Sequence, residues 1–209
     1  MSKNNLVLHY SHEFSPVSQT FIYDLIVRQA TNGAECAVCT KRQVNLNNRF
    51  FDDVEEVGYN RLISPSKLRA TYDIPFLYGF FSNYKKLIKV LKERNPVVIH
   101  CHFGWSAIDV LESMLKYRLF FPVLISLHGT DVNTFPKISR RYKKLLGDYN
   151  SSAILYTVPS VYLKKRAIEM LLNGATLLSE PCPYCKGVRV MKDGDALCVS
   201  CGKSADKEI

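Results

Sequence analysis

VVIHCHFGWSAIDVLESMLKYRLFFPVLISLHGTD, residues 97–131, decides the fold. Asn95-Pro96 just ahead of it breaks any preceding helix. VVIHCHF is a short, nearly unbroken apolar run and reads as a strand. Ser106 can then cap a helix through Arg118, and Pro122 opens a second apolar run, VLISLHG. Strand, helix and strand in roughly 30 residues make a βαβ unit with its two strands parallel in one sheet. Strands that are apolar throughout, without alternation, belong to a sheet covered on both faces.

The same alternation extends to both sides. Upstream, NLVLHY (5–10) and AECAVC (34–39) read as strands, and Ser18 to Gln29 reads as a helix with Phe21, Ile22, Leu25 and Ile26 on one face. Residues 41–76 are irregular, with a short strand near Val54–Tyr59. Phe80 to Arg94 is helical, with Phe81, Tyr84, Leu87, Ile88 and Leu91 in register. Downstream, Pro136 to Leu146 reads as a basic helix and SAILYTV (152–158) as a strand. A last helix runs from Pro159-Ser160 to about Leu178. The expected class is α/β, a Rossmann-like parallel-sheet sandwich. Ligands of such sheets bind beyond the carboxyl ends of the strands. That rule selects His9–Ser18, His100–Ser106 and His128–Asp131. Within them, Ser18 is expected to cap a helix whose free N–H groups could receive an anion, and His102, His128 and Asp131 offer hydrogen-bonding groups for a sugar or phosphate. There is no G-x-G-x-x-G and no P-loop, so nothing supports ordinary dinucleotide or NTP binding.

The C-terminus is different. Cys182, Cys185, Cys198 and Cys201 form C-x2-C-x12-C-x2-C, with a glycine close behind each pair. VRVMKDGDALCV between them reads as strand, Asp193-Gly194 turn, strand. Two C-x2-C turns complete a closed thiolate tetrahedron, which predicts a zinc ribbon holding structural Zn2+. Cys36 and Cys39 have the same spacing. They lie in a strand, where positions three apart face opposite ways, so their thiols should not converge. Seven cysteines, an odd number, argue against a disulfide framework. The expected organisation is 1–160 α/β domain, 161–178 connecting helix, 179–204 zinc ribbon and 205–209 tail.

Composition limits the rest. With 47% hydrophobic and 22% charged residues, the chain is globular and not disordered. No apolar run reaches the roughly 18 residues of a membrane span. MSKNNLVLHYSHEF reads as a first strand and not as a secretory signal, so the cytoplasm is the expected location. The net charge is +9. Residues 161–209 carry 8 basic and 6 acidic side chains, so most of the excess lies in 1–160. That field suits phosphates or an anionic membrane surface. In the ribbon, Asp193 and Asp195 nearly cancel Lys186, Arg189 and Lys192, and Tyr184 stands without an aromatic ladder, which disfavours nucleic acid as a partner.

FSPVSQTFI, VIHCHFGWSA, LISLHGTDV and LYTVPSVYLKKRAIE, in that order, resemble the N-terminal half of family-4 retaining glycosyltransferases of the two-Rossmann-domain (GT-B) type. The likeness covers about residues 5–168 and is nearest to members that build surface polysaccharides. It implies an acceptor-binding half facing a second domain that holds the nucleotide-sugar donor. His128 would be the catalytic residue beside the donor sugar. Ser18, Thr20, His102 and Asp131 would bind or shape the acceptor side. The family's donor-binding E-x7-E pair has no counterpart in these 209 residues, so the chain is expected to be inactive until a donor domain is supplied, for instance by a separate donor-binding chain. The basic helices Lys85–Arg94 and Lys137–Lys144 suit anionic lipid, where lipid-linked acceptors reside, so a peripheral place on the membrane is also expected. The tail, AIEMLLNGATLLSEPCPYCKGVRVMKDGDALCVSCGK, resembles the small zinc-ribbon proteins related to the Sjögren's syndrome/scleroderma autoantigen, over about 164–203, with Lys186 where those have Gly. The two pieces join near 160–168. Three readings stay open: half of a transferase, a zinc-ribbon module that binds protein or nucleic acid on an α/β scaffold, or a fusion without function.

Overall fold

The computed structural model describes residues 5–59, 82–135, 139, 142, 153–162, 164–165, 168, 176–177, 182–185, 189–192, 195–198 and 203. Its main sheet has six parallel strands: β1 (Val7–Phe14), β2 (Cys36–Gln43), β3 (Val54–Glu56), β4 (Val98–His102), β5 (Val123–Ser126) and β6 (Ile154–Thr157). Their order is β3-β2-β1-β4-β5-β6. β1 thus lies mid-sheet, between β2 and β4, and the chain reverses its direction of winding there. This is the Rossmann-like arrangement the alternating pattern predicts.

Helix α1 (Thr20–Thr31) covers one face and helices α2 (Tyr84–Arg94) and α3 (Gly104–Tyr117) cover the other. Ile22 and Ile26 of α1 pack with Phe14, Cys36, Val38 and Phe103. Leu87, Ile88 and Leu91 of α2, with Ile108 and Leu111 of α3, pack on Leu8, Tyr10, Cys39, Ile99 and Cys101. Cys36 and Cys39 are therefore in opposite cores, as period-two alternation requires. Burial pushes the Cys39 and Cys101 thiols up, so both remain protonated.

Several boundaries shift. β1 runs on to Phe14, and both His9 and His12 lie inside it. Ser18 does not cap α1. It lies in a 3-10 turn, Val17–Gln19, that follows Pro16, and Gln19 occupies the N-cap position with no side-chain hydrogen bond. Pro16 and the 3-10 turn postpone the helix by two residues. The helix after β4 begins at Gly104 and not at Ser106, because Phe103 takes the left-handed φ of 72° that turns the chain out of the strand. The predicted loop of 60–76 lies outside the described residues, as does all but Ser139 and Tyr142 of the predicted helix 136–146.

At the C-terminus, β7 (Thr176–Leu177), β8 (Arg189–Lys192) and β9 (Asp195–Cys198) form a small antiparallel sheet, so the helix expected to run to about Leu178 has ended before Thr176. Lys192 pairs with Asp195, so β8 and β9 pair as the predicted hairpin does, and the expected Asp193-Gly194 turn lies outside the described residues. Among the described residues, no helix is long and apolar enough to cross a membrane.

Candidate functional site

The adjoining strands β1, β4 and β5 bring four of the five histidines to one face. Parallel pairing sets His9 opposite His100 and His102 opposite Ser126. Alternation turns His9, His100, His102 and Ser126 to the side of α1. His9 Nδ1 lies 3.1 Å from His102 Nε2. His100 Nε2 lies 2.8 Å from Ser126 Oγ, which is itself 2.8 Å from Thr157 Oγ1. All three rings are buried. Burial, aided by the neighbouring imidazoles, lowers the His9 pKa to about 3 and that of His100 to about 4, and pulls His102 well down. The three are neutral at pH 7.

His128 stands at the rim of this group. Its ring lies 4.7 Å from both Phe21 of α1 and Phe103. The residue is partly exposed, while its Nε2 is itself buried and makes no hydrogen bond. Burial lowers its pKa, so it too offers a neutral imidazole. Asp131 fixes the loop that carries it. The fully buried carboxylate accepts hydrogen bonds from the His128 N–H at 2.8 Å and the Gly104 N–H at 3.1 Å. It ties the turn after β5 to the start of α3. Burial raises the Asp131 pKa, and these backbone N–H groups oppose that rise. Thr20 opens α1, one residue before Phe21, and Ser18 is exposed in the preceding turn. Thr20, Phe21, Phe103, His128 and Asp131 thus belong to adjoining elements. His102 lies deeper, under His128, with ring centroids 6.4 Å apart. Phe21 and Phe103 flank His128; the helical spacing puts Phe21 on the apolar face of α1, and Phe103 lies inside the selected segment His100–Ser106 without an expected role.

The opposite face holds a charge cluster that the sequence did not announce. Lys41 of β2 and Asp109 of α3 form an ion pair with both side chains fully buried. Asp109 Oδ2 also lies 2.8 Å from His12 Nε2 and accepts the Tyr10 hydroxyl at 3.0 Å. Lys41 Nζ donates to Ser82 Oγ at 3.1 Å and lies 5.1 Å from the Tyr59 ring centroid. Burial works to raise the Asp109 pKa, but Lys41 and His12 outweigh it and hold the carboxyl well below the usual range. Burial pulls Lys41 down, and Asp109 opposes that pull.

In the C-terminal sheet, Cys182, Cys185 and Cys198 place their sulfurs within 4.8 Å of one another. Cys185 and Cys198 are 3.5 Å apart. Sulfurs about 2.3 Å from a shared tetrahedral ion lie about 3.8 Å apart, so this donor set fits zinc. Cys201, the expected fourth ligand, lies outside the described residues.

The model of Glycosyltransferase Family 4 matches residues 18–172. That of Sjögren's syndrome/scleroderma autoantigen 1 matches residues 165–202. No curated protein matches the chain significantly. Among solved structures, a fragment of sucrose-phosphate synthase from Thermosynechococcus elongatus is 13% identical with a TM-score of 0.49, covering 80% of this chain and 81% of that one. A longer form of the same synthase is 11% identical with a TM-score of 0.47, covering 74% of this chain and 47% of that one. The glycosyltransferase VinC in complex with DTDP is 11% identical with a TM-score of 0.37, covering 70% of this chain and 40% of that one. The chain thus spans less than half of the longer synthase and of VinC.

Proposed function

The chain belongs to glycosyltransferase family 4, and from that membership we propose that its α/β part is the acceptor-binding half of a retaining enzyme. The enzyme would transfer sugar from a nucleotide-sugar to a glycan or a lipid-linked acceptor of surface-polysaccharide type. The observation that carries this reading is the family match over residues 18–172, which includes His100, His102, His128 and Asp131. The cluster suits the task. His128 is a neutral imidazole with an unpartnered Nε2, aimed by two aromatic rings and by a loop that Asp131 fixes. Such a group can accept or donate one hydrogen bond to a sugar hydroxyl beside the reacting bond. Thr20 and Ser18 stand at the adjoining helix start to meet the acceptor, while His102 and Asp131 act from beneath as positioning residues.

Donor binding is assigned to a second Rossmann domain carrying an E-x7-E pair, whether in the same polypeptide or in a partner chain. The positioning and charge stabilisation of the donor pyrophosphate would come from there. The C-terminal thiolates would hold zinc as a closed structural site, and the metal would supply folding energy to the small sheet, not chemistry.

The test is to purify the protein from its native cell at low salt and identify its companions by mass spectrometry. A longer form of the chain, or a stoichiometric partner, bearing the second domain and the E-x7-E pair is the expected result. Its absence removes the transferase reading. Transfer by these 209 residues alone would overturn the assignment as a half-enzyme.

A further inference from the structure

We propose that His9, His100 and His102 form a three-imidazole site for a late first-row divalent ion, with zinc as the natural occupant, that ties β1 to β4. One ring nitrogen from each residue lies within 4.8 Å of the other two. Two of these rings already approach as metal ligands do. His9 Nδ1 and His102 Nε2 are 3.1 Å apart, against about 3.4 Å for nitrogens sharing a tetrahedral ion at about 2.1 Å. The His100 nitrogen lies within 4.8 Å of these two and must move closer to share the ion.

The surroundings supply an outer partner for two of the three imidazoles, while the buried Nδ1 of His102 makes no hydrogen bond among the described residues. A metal-bound ring donates its other N–H to an outer partner, which fixes its tautomer. For His100 that partner is Ser126 Oγ, backed by Thr157. For His9 it is the Gln29 side chain of α1, which faces the ring. Both His9 Nε2 and Gln29 Oε1 make no hydrogen bond as the site stands. An ion on His9 Nδ1 puts the proton on Nε2 and offers it to that oxygen, so two buried orphans satisfy each other. Whichever ring donates in the present His9–His102 contact, both rings are neutral, so the ion displaces a hydrogen bond and releases no proton. Among the described residues no carboxylate joins the group, and an all-nitrogen set selects zinc, cobalt or nickel over calcium or magnesium.

The C-terminal thiolates would compete for metal, so the test removes them. A Cys182→Ser/Cys185→Ser variant of the full chain is titrated with Co2+ and, separately, with Zn2+. One Co2+ per chain is expected, with weak visible bands and no thiolate-to-cobalt charge transfer. Zn2+ should shift the imidazole nitrogen NMR signals of three of the five histidines. It should also raise Tm by about 5–10 °C at a hundredfold excess over Kd. Adding His9→Leu should abolish the bound cobalt. The proposal is overturned if the folded cysteine variant binds no cobalt at roughly a hundredfold molar excess. It is equally overturned if a folded His9→Leu/His102→Leu variant binds as before. Should the histidine variants not fold, the nitrogen spectra of the cysteine variant decide: unshifted imidazoles sink the site.

Discussion

Lys41 and Asp109 show how a buried charge pair constrains the residues around it. Neither side chain reaches solvent, so removing one takes from the other its main counter-charge in a dry site. Asp109→Leu is expected to cost about 3–5 kcal/mol in urea unfolding, and Lys41→Met a similar amount. The Lys41→Met/Asp109→Leu double variant should recover much of the loss, because an apolar pair needs no desolvation of charge. A double loss equal to the sum of the singles would show that the two do not act as a pair. The histidines set the response to pH. His9 and His100 have folded pKa values of about 3 and about 4 against an ordinary 6.5, and His102 and His12 are also lowered. The unfolded chain therefore binds more protons below pH 6.5. Their contribution is complete above that pH and is lost as pH falls towards 4, on the order of 1 kcal/mol per pH unit per histidine. His128 is lowered too, and Asp131, raised by burial, works in the opposite sense, one group against five. Metal-free protein should lose Tm steadily from pH 7 to pH 5. A flat profile would mean the rings are protonated in the fold.

The elements differ in how far their sequences disclose them. β4 and β5 were legible because VVIHCHF and VLISLHG are apolar throughout, and a two-sided strand needs that. Cys36 and Cys39 were legible because a period of two leaves them no common face. Ser18 was misread because a capping residue and a residue of a 3-10 turn have the same composition, and only Pro16 hinted at the turn. The Lys41–Asp109–His12 cluster had no local signal. Its members are 29 and 97 positions from His12, and a lysine near a strand end ordinarily faces water. The strand-end histidines were selected by the rule for parallel sheets, but their mutual burial depends on the register of β1 with β4, which no motif encodes. Helix α3 ends on a feature that can be tested. Arg118 caps it with φ 53°, a left-handed conformation that an L side chain adopts at a cost. The residue is exposed, so Arg118→Gly should stabilise the protein by about 0.5–1 kcal/mol. Thermal unfolding would show this as a rise in Tm, and a fall would mean that the arginine side chain makes a contact worth more than the strain.

For the whole molecule, the charge of +9 has a visible outlet. Lys85, Lys86, Lys89 and Lys92 are exposed along α2, whose apolar side is spent on the core. If this face meets an anionic membrane, the protein should co-sediment with vesicles rich in acidic lipid and not with neutral ones. Binding should fall as salt rises, and reversing Lys85 and Lys89 to Glu should weaken it by about tenfold or more, since each basic residue near such a surface contributes about 1 kcal/mol. Equal binding to neutral vesicles would reject an electrostatic origin. The position of β1 has a consequence of another kind, in the order of synthesis. β1 and β2 leave the ribosome early and can pair at once, yet the other edge of β1 waits for Val98–His102. Until then the nascent chain offers the central strand of the future sheet as an open, largely apolar edge. The interval spans more than half of the parallel sheet's sequence, so this protein should depend on chaperones during translation far more than its finished stability would suggest.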